Sequence, residues 1–167
     1  MTVEELIIYN QDICKIHPAI LHTDEQQHFF RIDIEELIAG TRGFANYPAV
    51  TCDIPEIGYN GQTWDNLMQQ WYVGLTFLDK AKAGDFARQV QVITRMQLIS
   101  EDFFSQYKED FKNNNIIKGL DYHQIKGYKV GPVFDGLYGW RLIIPAGNPA
   151  MRVRRYDRAN WVKPEVL

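Results

Sequence analysis

Trp71-Tyr-Val-Gly-Leu-Thr-Phe-Leu-Asp79 is the stretch on which the fold turns. Trp71, Val73, Leu75 and Phe77 fall on one side of a two-residue period, and Tyr72, Gly74, Thr76 and Leu78 on the other. Both sides are apolar enough for a strand that is central in a sheet, or covered on one face by protein partners. The strand pattern extends back to Trp64, just after Tyr59-Asn60-Gly61-Gln62, whose Asn-Gly pair is a strong hairpin signal. Downstream, Asp85 opens a long helical pattern. Phe86, Val90, Ile93, Ile99, Phe103, Phe104, Tyr107 and Phe111 keep a helical period, and Asn113-Asn114-Asn115 stops it.

Outward from this centre the elements are shorter. Thr2 followed by Glu5 is a capping-box pattern for an N-terminal helix that carries Leu6, Ile7, Ile13, Cys14 and Ile16, and Pro18 ends it. Residues 22–27 are polar and read as a turn. Residues 28–34 alternate and favour a short strand, although Asp33 with Glu36 three residues on could equally cap a helix. Val50, Cys52 and Ile54 alternate on one face between Pro48 and Pro55, as in a short or edge strand. After the long helix, Tyr128, Val130, Pro132 and Phe134 alternate. Tyr138, Trp140, Leu142 and Ile144 follow the same pattern, and Pro145 is expected to end that last strand. Strands in runs separated by one helix predict an α+β fold, with a mostly antiparallel sheet packed against the long amphipathic helix and the N-terminal helix. The expected organisation is one α+β domain over residues 1–150 and a basic extension over residues 151–167.

Composition narrows function by exclusion. The chain has 167 residues and 13% aromatics, which is ample for one core and wrong for disorder. The longest charge-free run, residues 66–78, contains Asn66, Gln69 and Gln70 and falls short of the roughly 20 apolar residues of a membrane span. The N-terminus has no basic segment ahead of its short apolar run, so no secretory signal is expected and the protein is expected in a cytoplasm. A net charge of −3 gives no reason to expect sequence-specific nucleic-acid or membrane partners. The charge is uneven, however. Arg152, Arg154, Arg155, Arg158 and Lys163 stand against Asp157 and Glu165, a net of +3 for the tail, which leaves −6 for the rest. Such a tail could reach an acidic neighbour, including another copy of the chain.

Chemistry is sparse in the sequence. No phosphate-cradling Gly loop and no G-x-S-x-G elbow is present. Cys14 and Cys52 lack metal or redox spacing and read as small buried residues in a reducing compartment, with a disulfide between them not demanded by anything. His22, Asp24, Glu25 and His28 could serve a small metal-dependent enzyme, but their spacing matches no zinc pattern. Asp33, Glu35 and Glu36 read as a solvated face. No cofactor or metal is expected. Trp71 and Trp140 sit on core-facing patterns. Trp64, after the hairpin, and Trp161, in the tail, are the better contact residues, because aromatics concentrate at interface hot spots.

The order of elements is familiar: N-terminal helix, alternating strand, hairpin arm, central strand ending in Asp79, long helix from Asp85-Phe86, and two closing strands, Val130-Gly-Pro-Val-Phe134 and Gly139-Trp-Arg-Leu-Ile-Ile144. Over residues 1–145 this resembles the tail-terminator and head–tail neck proteins of tailed phages, in the versions carried by Bacteroidetes-type prophages. The resemblance is one of element order, and the basic tail has no counterpart in it. It implies a non-enzymatic structural protein, made in the cytoplasm and carried in the virion. Such a protein forms a homo-oligomeric ring, commonly a hexamer, between tail-tube and head-connector proteins. A ring contact needs two different patches. Tyr59, Asn60, Gly61 and Trp64 of the hairpin arm, with Arg152, Arg154, Arg155, Arg158 and Trp161 of the tail, are the candidate interface. The competing readings are a bacterial protein- or ligand-binding module docking through Trp64 and Trp161, and the small enzyme built on His22 to His28.

Overall fold

A computed structural model describes residues 2–31, 46–60, 68–113, 119–120, 122–133 and 136–149. Helix α1 (Val3–Ile16) begins in the expected capping box. The Thr2 side chain accepts the Glu5 N–H at 3.1 Å, and the Glu5 carboxylate takes the Thr2 N–H at 2.7 Å. His17, just ahead of Pro18, is extended and closes the helix. Helix α2 (Phe86–Lys112) starts from Asp85, whose carboxylate accepts the Arg88 N–H at 3.0 Å, and stops at Asn113.

The strands are β1 (Phe29–Phe30), β2 (Ala49–Cys52), β3 (Glu56–Asn60), β4 (Met68–Lys80), β5 (Lys126–Val133) and β6 (Leu137–Pro149). They form one six-stranded sheet in the order β1-β2-β4-β6-β5, with β3 also paired to β4. All pairs are antiparallel except β1 with β2. The α+β architecture and the central position of β4 are as the alternation at residues 71–79 requires. Strand β6 occupies one whole edge of β4, from Met68↔Pro149 to Lys80↔Leu137, so β2 and β3 share the other edge end to end.

One face of the sheet carries Trp71, Val73, Leu75 and Phe77 of β4 beside Leu142, Ile144 and Ala146 of β6, all buried. The helices pack here, with Phe77 and Phe103 meeting edge to face at 4.9 Å. Polar ties join α1 to α2 inside this layer. Tyr107 Oη donates to Asn10 Oδ1 at 2.7 Å and Tyr9 Oη donates to Asp110, while Asn10 Nδ2 is steadied within α1 by donating to the Leu6 carbonyl. The second face carries Gly74, Thr76 and Leu78 of β4 with Arg141 and Ile143 of β6.

Four sequence expectations need correction. Ile54 does not continue the buried face of Val50 and Cys52. It lies past the end of β2 and is 71% exposed. Strand β3 was not expected at all beyond the hairpin tip. Pro145 does not end the last strand, because β6 runs on to Pro149. Pro145 is tolerated since β5 pairing begins only at Ile143, so its missing N–H leaves no β5 ladder bond unmade. Finally, Phe86 and Val90 fit the helical period of α2 but are solvent-exposed. The possible strand at 32–34, or helix from Asp33, and the carboxylates Asp33, Glu35 and Glu36 lie outside the described residues.

Candidate interaction site at the bulged sheet edge

Between β2 and β3 the edge is irregular. Cys52 pairs with Leu75 and Glu56 with Tyr72, so residues 53–55 stand opposite only residues 73 and 74. One extra residue in one strand is a β-bulge, which re-aims the side chains at its centre. Pro55 has no N–H to give, and Asp53 keeps the edge attached by donating its N–H to the Gly74 carbonyl at 3.0 Å.

The bulge turns the Asp53 carboxylate across β4 to the Arg141 guanidinium on β6. Arg141 Nη1 also donates to Thr76 Oγ1 at 3.0 Å. Gly74 lets the pair form. A Cβ there would lie 2.5 Å from Asp53 Oδ2 and 2.9 Å from Arg141 Nη2. Three strands are thus tied by one ion pair laid over a glycine. Beside the pair is a cleft of about 300 Å³, lined by Asp53, Ile54, Glu56, Tyr72, Gly74, Arg141 and Ile143. None of its lining residues is a serine, cysteine or histidine, and its guanidinium is already engaged. The cleft has polar recognition capacity, with the carboxylates of Asp53 and Glu56, the Tyr72 hydroxyl and the Arg141 guanidinium among its lining.

The neighbouring edge is the more distinctive feature. Among the described residues, nothing pairs with the outer side of β3. Ile54 at the bulge, with Ile57 and Tyr59 on β3 at 43% and 54%, offers exposed apolar surface along it. No lysine lies on β3, although Pro55 and the bulge stand where it begins. The opposite edge of the sheet is guarded: β5 carries Lys126, Lys129 and Pro132, and breaks register between Val130 and Val133, where Gly131 takes φ 108°. Those are the devices that block strand addition. Of the two edges, the β3 side is the more apolar and carries no lysine.

Of the expected interface, Tyr59 and Asn60 lie on β3. Gly61, Trp64, Arg152, Arg154, Arg155, Arg158 and Trp161 lie outside the described residues. Sequence reading missed Ile54, Ile57 and the Asp53–Arg141 pair. The available signal was Gly74, since an isolated glycine inside a strong strand marks a close approach. Trp71 is buried and Trp140 packs against the core, as expected. Cys14 and Cys52 are free and buried.

The histidines do not gather into a metal centre. His22 Nδ1 accepts the His28 N–H at 3.1 Å, and His28 Nδ1 lies 2.7 Å from the Pro48 carbonyl. Asp24 and Glu25 are exposed. Among the described residues no three His, Cys, Asp or Glu side chains are grouped to hold a metal ion. Nor is any described helix long and apolar enough to cross a membrane. No protein-family model, curated protein or solved structure matches the chain.

Proposed function

We propose that the chain is a structural assembly protein of the tail-terminator or neck kind, a subunit that docks other protein, including copies of itself, along the open edge of β3. The observation that carries this reading is the asymmetry of the sheet. Each edge has a proline and a bulge, but β5 adds Lys126 and Lys129 against pairing, whereas β3 carries no lysine and presents Ile54, Ile57 and Tyr59 beside backbone that is unpaired among the described residues. A heterologous ring needs two unlike patches. The β3 edge supplies one, and the basic residues Arg152, Arg154, Arg155 and Arg158 supply the chemistry of the other, against the acidic remainder of the chain.

Light scattering after gel filtration, across protein concentration and salt, tests the reading. The expected result is a defined oligomer, six-fold for a terminator ring, that Ile57→Lys with Tyr59→Lys converts to monomer while thermal stability is kept. An oligomer indifferent to the two lysines removes β3 from the interface. A monomer at every concentration and salt overturns self-assembly. That result would favour the second reading, a binding module, for which the cleft at Asp53, Tyr72 and Arg141 is the supporting feature.

A further inference from the structure

We infer that His22 and His28 form an acid-released latch that holds β1 against the outer edge of β2. Among the described residues, strand β1 is attached by two residue pairs, Phe29↔Val50 and Phe30↔Thr51, the one parallel pairing there. Burial of Phe29 and Phe30 and a bond from the Asn46 N–H to the Gln27 carbonyl help hold so short a strand, and two imidazoles add anchors that can titrate. His22 Nδ1 accepts the backbone N–H of His28 at 3.1 Å and, at 3.4 Å, that of Phe29. His28 holds the Pro48 carbonyl through Nδ1 at 2.7 Å, while its own carbonyl accepts the Val50 N–H at 2.7 Å.

These contacts fix the protonation state. A nitrogen that accepts two backbone N–H groups carries no proton, so the neutral His22 ring has its proton on Nε2. That nitrogen lies 3.1 Å from the Gln11 side-chain amide on α1, which must turn its oxygen toward the ring. The next proton can enter only at Nδ1, where it would point at the N–H groups of His28 and Phe29. The bonds are then lost and the ring has to leave. Both imidazoles are buried, and His22 stacks edge to face with Phe29 at 6.2 Å, so there is no solvent to receive the new charge in place.

The charged surroundings act mostly in the same sense. Burial lowers the His22 pKa most, His28 and Lys15 of α1 lower it further, and Asp24 of the loop opposes them. The latched form therefore binds a proton less readily than the released form. The latch is closed above the ordinary imidazole value of about 6.5, and it opens as pH falls from there toward the lowered value. Release would bare the outer edge of β2. Because β2 and β3 lie end to end along β4, the exposed edge would then include β2 as well as β3, with the bulge at residues 53–55 between them.

Amide hydrogen exchange of the full chain, followed by NMR from pH 7.5 to 5 with intrinsic rates divided out, tests the latch. The His28 and Val50 amides should lose protection by about tenfold per pH unit between the two pKa values, as one-proton linkage requires. The Phe103 and Tyr107 amides of α2 should keep theirs. His22→Asn, whose Oδ1 accepts the same N–H groups without titrating, should make the profile flat. The ring ¹⁵N shifts of the unaltered protein give a check that needs no variant, with Nε2–H expected on His22. An Nδ1–H tautomer, a flat profile in the unaltered protein, or loss of protection at every amide together would each overturn the inference.

Discussion

At the scale of single residues, the middle of the sheet is shaped by what its glycines leave out. Gly74 is open on one side so that Asp53 and Arg141 can meet over it, and Gly139 lets β6 pass close to Phe77 of β4. The two differ in what a methyl group would strike. At Gly74 the obstacles are the far ends of two side chains. At Gly139 the obstacle is the Phe77 carbonyl, part of the sheet itself. We therefore expect Gly74→Ala to cost about 1–3 kcal/mol, the range for overpacking, by pushing the ion pair apart. Gly139→Ala should cost more, because a strand has to move. Urea unfolding of both variants gives the ranking. A double-mutant cycle with Asp53→Ala then tests the cause, since the Gly74→Ala penalty should shrink once the carboxylate is gone. Equal penalties with and without Asp53 would show that the clash lies elsewhere.

At the scale of elements, sequence patterns revealed what was locally determined. The Thr2–Glu5 box, the Asp85 cap and the alternation at residues 71–78 are each complete within a few residues, and α1, α2 and β4 form as those patterns require. Only the far end of β3 was signalled, by the Asn-Gly pair after Tyr59: the strand is short, begins straight after Pro55 and contains Gly58, and it forms by pairing with residues 68–72. The bulge was hidden too, since a register shift is a property of two strands. The parallel β1–β2 pair depends on histidine contacts with distant backbone, which no local pattern encodes. Periodicity misled at Phe86 and Val90. Residues 82–88 are all exposed, so the first turn of α2 has an apolar side with nothing of the sheet beneath it. That misreading has a measurable consequence. A cap normally contributes about 1 kcal/mol. Here its loss can be absorbed by fraying a turn that packs on nothing. Asp85→Ala should raise amide exchange at residues 88–91 several-fold and lower global stability by less than about 1 kcal/mol. A full loss in the urea midpoint would mean that the exposed turn is coupled to the core after all.

At the scale of the whole molecule, the question is whether the helical layer can open without the sheet. Cys14 on α1 and Cys52 on β2 report on it, because both are buried and α1 lies over the second: Asn10 Nδ2 is 3.8 Å from Cys52 Sγ. Burial pushes the Cys52 thiol up to about 12 and the Cys14 thiol higher still, so neither forms a useful thiolate in place. Reagent can reach them only after an opening. Lifting α1 alone would break both the bond from Tyr9 Oη to Asp110 and the buried Asn10–Tyr107 bond, and would bare the apolar surface under α1. Those ties should make local opening more costly than cooperative unfolding. The expected outcome is that both thiols label at one rate, with a urea dependence equal to the global m-value. Single Cys→Ser variants assign each rate to its site. A labelling rate that ignores urea would instead place α1 on an independent hinge, and the polar ties to α2 would then hold only its position, not its cooperativity with the sheet.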